Sequence, residues 1–95
     1  MERRKLDESE IETHLKTVTG WAFENGQIVK TTTFDTYKSG LVFAVAVGHF
    51  ADQMDHHPDL FIGYQKVTIG LNTHDLGGIS TFDFALARKI DGLLS

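Results

Sequence analysis

Three of the five histidines of this 95-residue chain stand in two short segments, Asp55-His56-His57-Pro58-Asp59 and Thr73-His74-Asp75-Leu76-Gly77-Gly78. Imidazole ordinarily titrates at about pH 6.5, so it both gives and takes a proton near neutrality, and a cluster of such rings points to proton-transfer catalysis. Asp83, in Ser80-Thr81-Phe82-Asp83, reads in two compatible ways. It closes a helix capping box, and it is a carboxylate able to orient an imidazole such as His74. His14 and His49 read as ordinary surface or capping histidines.

Other chemistries fit less well. His56, His57, His74 and Asp83 offer nitrogen and oxygen ligands, yet adjacent histidines in extended backbone point to opposite faces and no HExxH spacing occurs. No metal is expected. Ser80 and Thr73 stand in no nucleophile elbow, and Gly77-Gly78 is only a fragment of a phosphate-cradling loop. Trp21, Phe61 and Tyr64 read mainly as packing residues.

Composition narrows the class. A formal charge of -4 is the wrong sign for a partner read through phosphates, and Arg3-Arg4-Lys5 is too short a basic cluster to alter that. With no cysteine, disulfides, thiolate catalysis and sulfur-ligated zinc are excluded. The longest apolar run, Leu41 to Val47, is far short of the ~20 residues of a membrane span, and the charged opening MERRKLDESE has no apolar stretch behind it. The expectation is a cytoplasmic protein of one domain over residues 1–95, small enough for self-association to help its stability.

The elements that must position the histidines are legible in turn. Asp7 with Glu10 forms a capping box and Leu6 can staple against Ile11, which predicts a helix over about 8–18 ended by Gly20. Trp21 to Phe34 reads as a hairpin turned at Asn25-Gly26. Phe43, Val47, Phe50 and Met54 make a helical stripe, capped by Asp35 or Thr36, within a helix over 36–54. Leu60 to Tyr64 and Lys66 to Leu71 read as a second hairpin, bordered by both histidine segments. Leu86, Ile90 and Leu93 mark a last helix opened by Ser80. The order αββαββα suggests an α+β layer pair, one antiparallel sheet with helices on one face.

Taken jointly, Asp52-x-x-x-His56-His57-Pro58, Tyr64 and Thr73-His74-x-x-Gly77-Gly78-Ile79-Ser80-x-x-Asp83, together with Gly20-Trp21 and the Asn-Gly hairpin, resemble the pterin-4a-carbinolamine dehydratase family over nearly the whole chain. The resemblance implies a four-stranded antiparallel sheet with three helices on one face, assembled as a homodimer or homotetramer. It implies loss of water from 4a-hydroxytetrahydrobiopterin to give quinonoid dihydropterin, the step that returns the cofactor of aromatic amino-acid hydroxylases, with no metal or organic cofactor. Carried over by position, the catalytic set is His56, His57, His74 and Asp83. Asp52, Pro58, Thr73, Asp75 and Leu76 contact or support the pterin. The chain departs from the family at Asp52, often glutamate, at Gln53, often basic, and at Leu60, commonly tryptophan.

Two other functions belong beside this one. Relatives of the family also act as dimerisation cofactors of a homeodomain transcription factor, a non-catalytic role on the same fold. A related pterin, such as molybdopterin, presents the same bicyclic head. No direct nucleic-acid or membrane partner is expected.

Overall fold

The computed structural model describes residues 3–94. Its first helix, α1 (Glu8–Leu15), opens on the expected box: Asp7 accepts from the Glu10 amide at 2.8 Å and Glu10 from the Asp7 amide at 3.0 Å. It stops short of residue 18. The amides of Thr17 and Val18 donate to the carbonyls of His14 and Leu15, a tighter winding that suits two β-branched residues. The apolar period nonetheless continues through the turn, and Val18 is buried with Leu6 and Ile11.

Strands β1 (Ala22–Glu24) and β2 (Gln27–Thr33) are joined by Asn25 and Gly26, whose φ values of 50° and 78° are the pair a type I′ turn requires. The long helix α2 (Tyr37–Met54) is capped by Thr36, whose hydroxyl accepts from the Ser39 amide at 3.0 Å. Its stripe points inward as expected: Phe43 and Val47 are buried, and Phe50 and Met54 pack against the core.

Strands β3 (Asp59–Ile62) and β4 (Lys66–Leu71) form the second hairpin, and α3 (Thr81–Leu94) ends the described chain. β3 is shorter than the expected Leu60 to Tyr64. The Gly63 amide donates to the Lys66 carbonyl at 2.9 Å, closing the turn early and leaving Tyr64 in solvent.

The sheet order is β1-β2-β4-β3, antiparallel throughout, with β2 aligned on β4 from Ile28 opposite Leu71 to Thr33 opposite Lys66. Ile28, Val67, Ile69 and Leu71 are fully buried and meet Val47, Phe84, Leu86 and Ile90 from the helices. The alternate residues face outward, where the hydroxyls of Thr31 and Thr68 bond at 2.8 Å and Phe61 lies exposed. The result is the α+β arrangement anticipated above: αββαββα, one open sheet with three helices on one face.

Candidate active site

The end of α2 aims the first pair of histidines. Asp55 takes the left-handed conformation, φ 49° and ψ 44°, and the His56 amide donates back to the Ala51 carbonyl at 3.0 Å, the bonding of a Schellman stop. The reversal turns His56 under the helix. Residues 56–58 then run without regular structure, so the two neighbouring rings part company: His56 is buried and His57 exposed.

Inside the protein His56 meets Asp83. Its Nε2 lies 2.6 Å from Asp83 Oδ1, while Asp83 Oδ2 accepts from the Thr73 hydroxyl and the Ser80 amide, each at 2.9 Å. The Thr73 and Ser80 hydroxyls stand 2.6 Å apart, and the Ser80 oxygen also accepts from the Phe82 amide at 3.2 Å. A carboxylate that only accepts requires the hydrogen on His56 Nε2. Thr73 gives its one hydrogen to Asp83 and therefore accepts from Ser80. Every member of the chain Ser80 to Thr73 to Asp83, met from the other side by His56, is satisfied, as buried polar groups must be. Asp83 thus caps α3 and orients an imidazole with one carboxylate, and that imidazole is His56, not His74.

His57 lies on the outer side. Its Nε2 is 2.9 Å from Asp52 Oδ1, both side chains largely exposed, beside a hollow of about 450 Å³ lined by His49, Asp52, His57, Pro58 and Leu60 among others. Of the three singled-out histidines, only His57 lines this hollow. His49, read from sequence as a bystander, joins it because it sits on the same helix face as Asp52.

His74 begins a 3₁₀ turn, His74–Leu76, closed by Gly77 at φ 68°. The turn sits inside a small loop: the Thr73 amide donates to the Gly78 carbonyl at 2.7 Å and the Leu76 amide to the Thr73 carbonyl at 3.0 Å. The His74 ring is exposed and has no hydrogen-bond or ion-pair partner among the described residues. Asp75 pairs with Arg3, whose guanidinium holds the carboxyl below the usual carboxylate range.

The singled-out residues therefore fall into three groups. His56, Asp83 and Thr73 form one buried network; His57, Asp52 and Pro58 border one hollow; His74, Asp75 and Leu76 share one turn. The network ties the groups together, since Thr73 precedes His74 and His56 precedes His57 in the chain. Sequence reasoning missed the roles of Ser80 and Arg3. Ser80 was read as a cap and set aside as a nucleophile, and Arg3 belonged to a basic cluster that looked too short to matter. It also missed Asn72, whose Oδ1 is the one buried side-chain oxygen without a partner among the described residues. No group of three or more potential metal ligands is gathered among those residues, and no described helix is long and apolar enough to cross a membrane.

This geometry can be set beside known proteins. A protein of Sulfurisphaera tokodaii is 45% identical over 92 residues, covering 97% of this chain and 99% of its own. One of Sulfolobus acidocaldarius is 42% identical over 87 residues, covering 92% and 96%. Both carry the provisional name pterin-4-alpha-carbinolamine dehydratase. Among solved structures, a transcriptional coactivator/pterin dehydratase from Brucella melitensis superposes with a TM-score of 0.91 at 29% identity, covering 97% of this chain and all of that one. A pterin dehydratase-like protein identified as a RuBisCO assembly factor in the alpha-carboxysome shares the fold, at TM-score 0.63 and 22% identity over 77% of this chain and 84% of its own. With the family described as pterin 4 alpha carbinolamine dehydratase matching residues 4–93, the chain belongs to that family.

Proposed function

We propose that this protein removes water from a 4a-hydroxytetrahydropterin, 4a-hydroxytetrahydrobiopterin in the first instance, to give the quinonoid dihydropterin during recycling of the tetrahydropterin. One observation carries the reading: a single buried carboxylate, Asp83, fastens both His56 and Thr73, the residues immediately before the exposed imidazoles of His57 and His74. Two solvent-facing acid/base groups on separate segments are thereby held by one brace.

Hydroxide leaves a neutral carbinolamine slowly. The hydroxyl oxygen must gain a proton as the carbon–oxygen bond breaks, and the adjacent ring nitrogen must lose one as its electrons form the new carbon–nitrogen double bond. His57 and His74 are the two groups assigned to this exchange, one as acid and one as base. Asp52 holds His57 by its Nε2, which leaves Nδ1 to work. His56 and Asp83 position the segments, and Pro58, Asp75, Leu76 and the backbone beside Thr73 border the ring. Each proton transfer is worth ~10²–10⁴-fold. The test is stopped-flow dehydration of enzymatically generated 4a-hydroxytetrahydropterin. Acceleration over buffer supports the reading; a rate equal to buffer overturns it.

A second reading, a docking or coactivator role with self-association as homodimer or homotetramer, is favoured by one feature. Val42 on α2 is 61% exposed and lines a groove of about 380 Å³ that also takes in Leu93 and Leu94. Light scattering on the purified chain, with and without Val42→Glu, tests that surface: loss of an oligomer in the variant supports it, and a monomer from the start removes it.

A further inference from the structure

The segment before α1 lies along the loop that carries His74. Leu6 is buried and its amide donates to the Ile79 carbonyl at 2.7 Å. Lys5 stretches across Gly78, its Cε 2.7 Å from where a Cβ there would stand. Arg3 then makes two contacts at once: its guanidinium bonds the Asp75 carboxylate and lies over the Phe82 ring, 5.5 Å from the ring centre. Phe82 in turn neighbours the His56 ring, with centroids 6.2 Å apart.

As a stabilising ion pair this contact counts for little, because both partners are half or more exposed. Its importance is where it sits. Asp75 belongs to the His74 turn, Phe82 to the start of α3, and His56 to the segment ahead of His57. Arg3 therefore touches one side of the candidate site and, through Phe82, braces the other. The aminopyrimidine edge of a pterin presents N–H donors, for which an unengaged carboxylate on this turn would be a strong acceptor. With the Asp75 carboxylate already occupied, the loop offers its backbone groups and the His74 ring instead.

We propose that Arg3 is a positioning residue for the pterin site: by engaging Asp75 and bracing Phe82 it holds the His74–Leu76 turn in the pose that receives the ring. The proposal rests on the dehydratase reading for its substrate and on the described contacts for its mechanics, and the two fail separately.

The experiment compares Arg3→Ala, Arg3→Lys, Asp75→Ala and the double alanine variant of the full chain. Arg3→Ala raises KM by about fivefold with kcat within about twofold, the signature of lost ground-state positioning, and Arg3→Lys recovers most of it. Asp75→Ala behaves like Arg3→Ala, and the double variant is no worse than either single one. Unchanged KM in Arg3→Ala, or single effects that multiply in the double variant, overturn the proposal. Amide hydrogen exchange supplies an arm that needs no turnover. In Arg3→Ala the amides of residues 74–78 exchange severalfold faster while the β2 and β4 amides do not, and equal exchange at 74–78 overturns the brace. If the unaltered chain dehydrates no pterin, the functional reading falls while the exchange arm still judges the strap.

Discussion

His56 Nε2 and Asp83 Oδ1 stand 2.6 Å apart in the interior, joining residues separated by 27 positions and bringing the end of α2 against the start of α3. Around this contact the histidines divide by environment: His56 is buried against Asp83, while His57 and His74 face solvent.

The first prediction is a contrast between neighbours. His56→Ala leaves a buried carboxylate without its partner and costs roughly 3–5 kcal/mol of stability, read by urea unfolding. His57→Ala and His74→Ala, at exposed positions, leave the unfolding midpoint in place yet lower dehydration by about tenfold or more. Unchanged turnover in the variant lacking all three rings would end the acid/base assignment.

Asp83→Asn supplies the second. The amide keeps the size of the side chain but replaces one accepting oxygen with a donor, so either the His56 hydrogen or the pair from Thr73 and Ser80 loses its acceptor. The expected cost is about 1–3 kcal/mol. Because the same side chain starts α3, circular dichroism of the variant should show helix loss beside the fall in rate; a fully stable Asn variant would contradict the network described here.

Thr73→Val separates bracing from capping. The hydroxyl donates to Asp83 and accepts from Ser80, so its removal costs roughly 1–3 kcal/mol while the Ser80 amide contact to Asp83 survives. Dehydration falls because the turn carrying His74 loses its tie. Wild-type rate and stability together would show the tie to be idle.

A fourth prediction concerns acid. The Arg4 guanidinium, then the Asp7 amide, pulls the Glu10 carboxyl from 4.5 to about 2. The folded state binds this proton less tightly than the unfolded chain, so the contribution of Glu10 is whole above about pH 4.5 and is lost as the pH falls through about 2. In Glu10→Gln the unfolding midpoint depends less steeply on pH across that interval. A slope equal to that of the parent chain would rule the contribution out.

Much of the fold could be read from local chemistry. Asn25-Gly26, the Asp7 and Glu10 box, Thr36 and the Phe43, Val47, Phe50, Met54 stripe each act over a few residues, where turn geometry and helical period leave little choice. The site was legible as a set of residue types and not as a set of contacts. Nothing near Asp83 in the chain says that its partner is His56 and not His74, because the choice depends on Asp55 reversing the backbone and on β4 delivering Thr73 beside α3. Arg3 escaped for the same reason: it matters only through Asp75 and Phe82, neighbours that tertiary packing supplies.

On the dehydratase reading proposed above, the braced carboxylate makes turnover a readout of finished folding. Its partners come from the end of α2, the loop after β4 and the first turn of α3, so no fragment that lacks the last helix can contain it. A chain still emerging during synthesis carries all of its histidines before Asp83 can fasten His56. In denaturant, dehydration should vanish in the same cooperative step that melts the sheet.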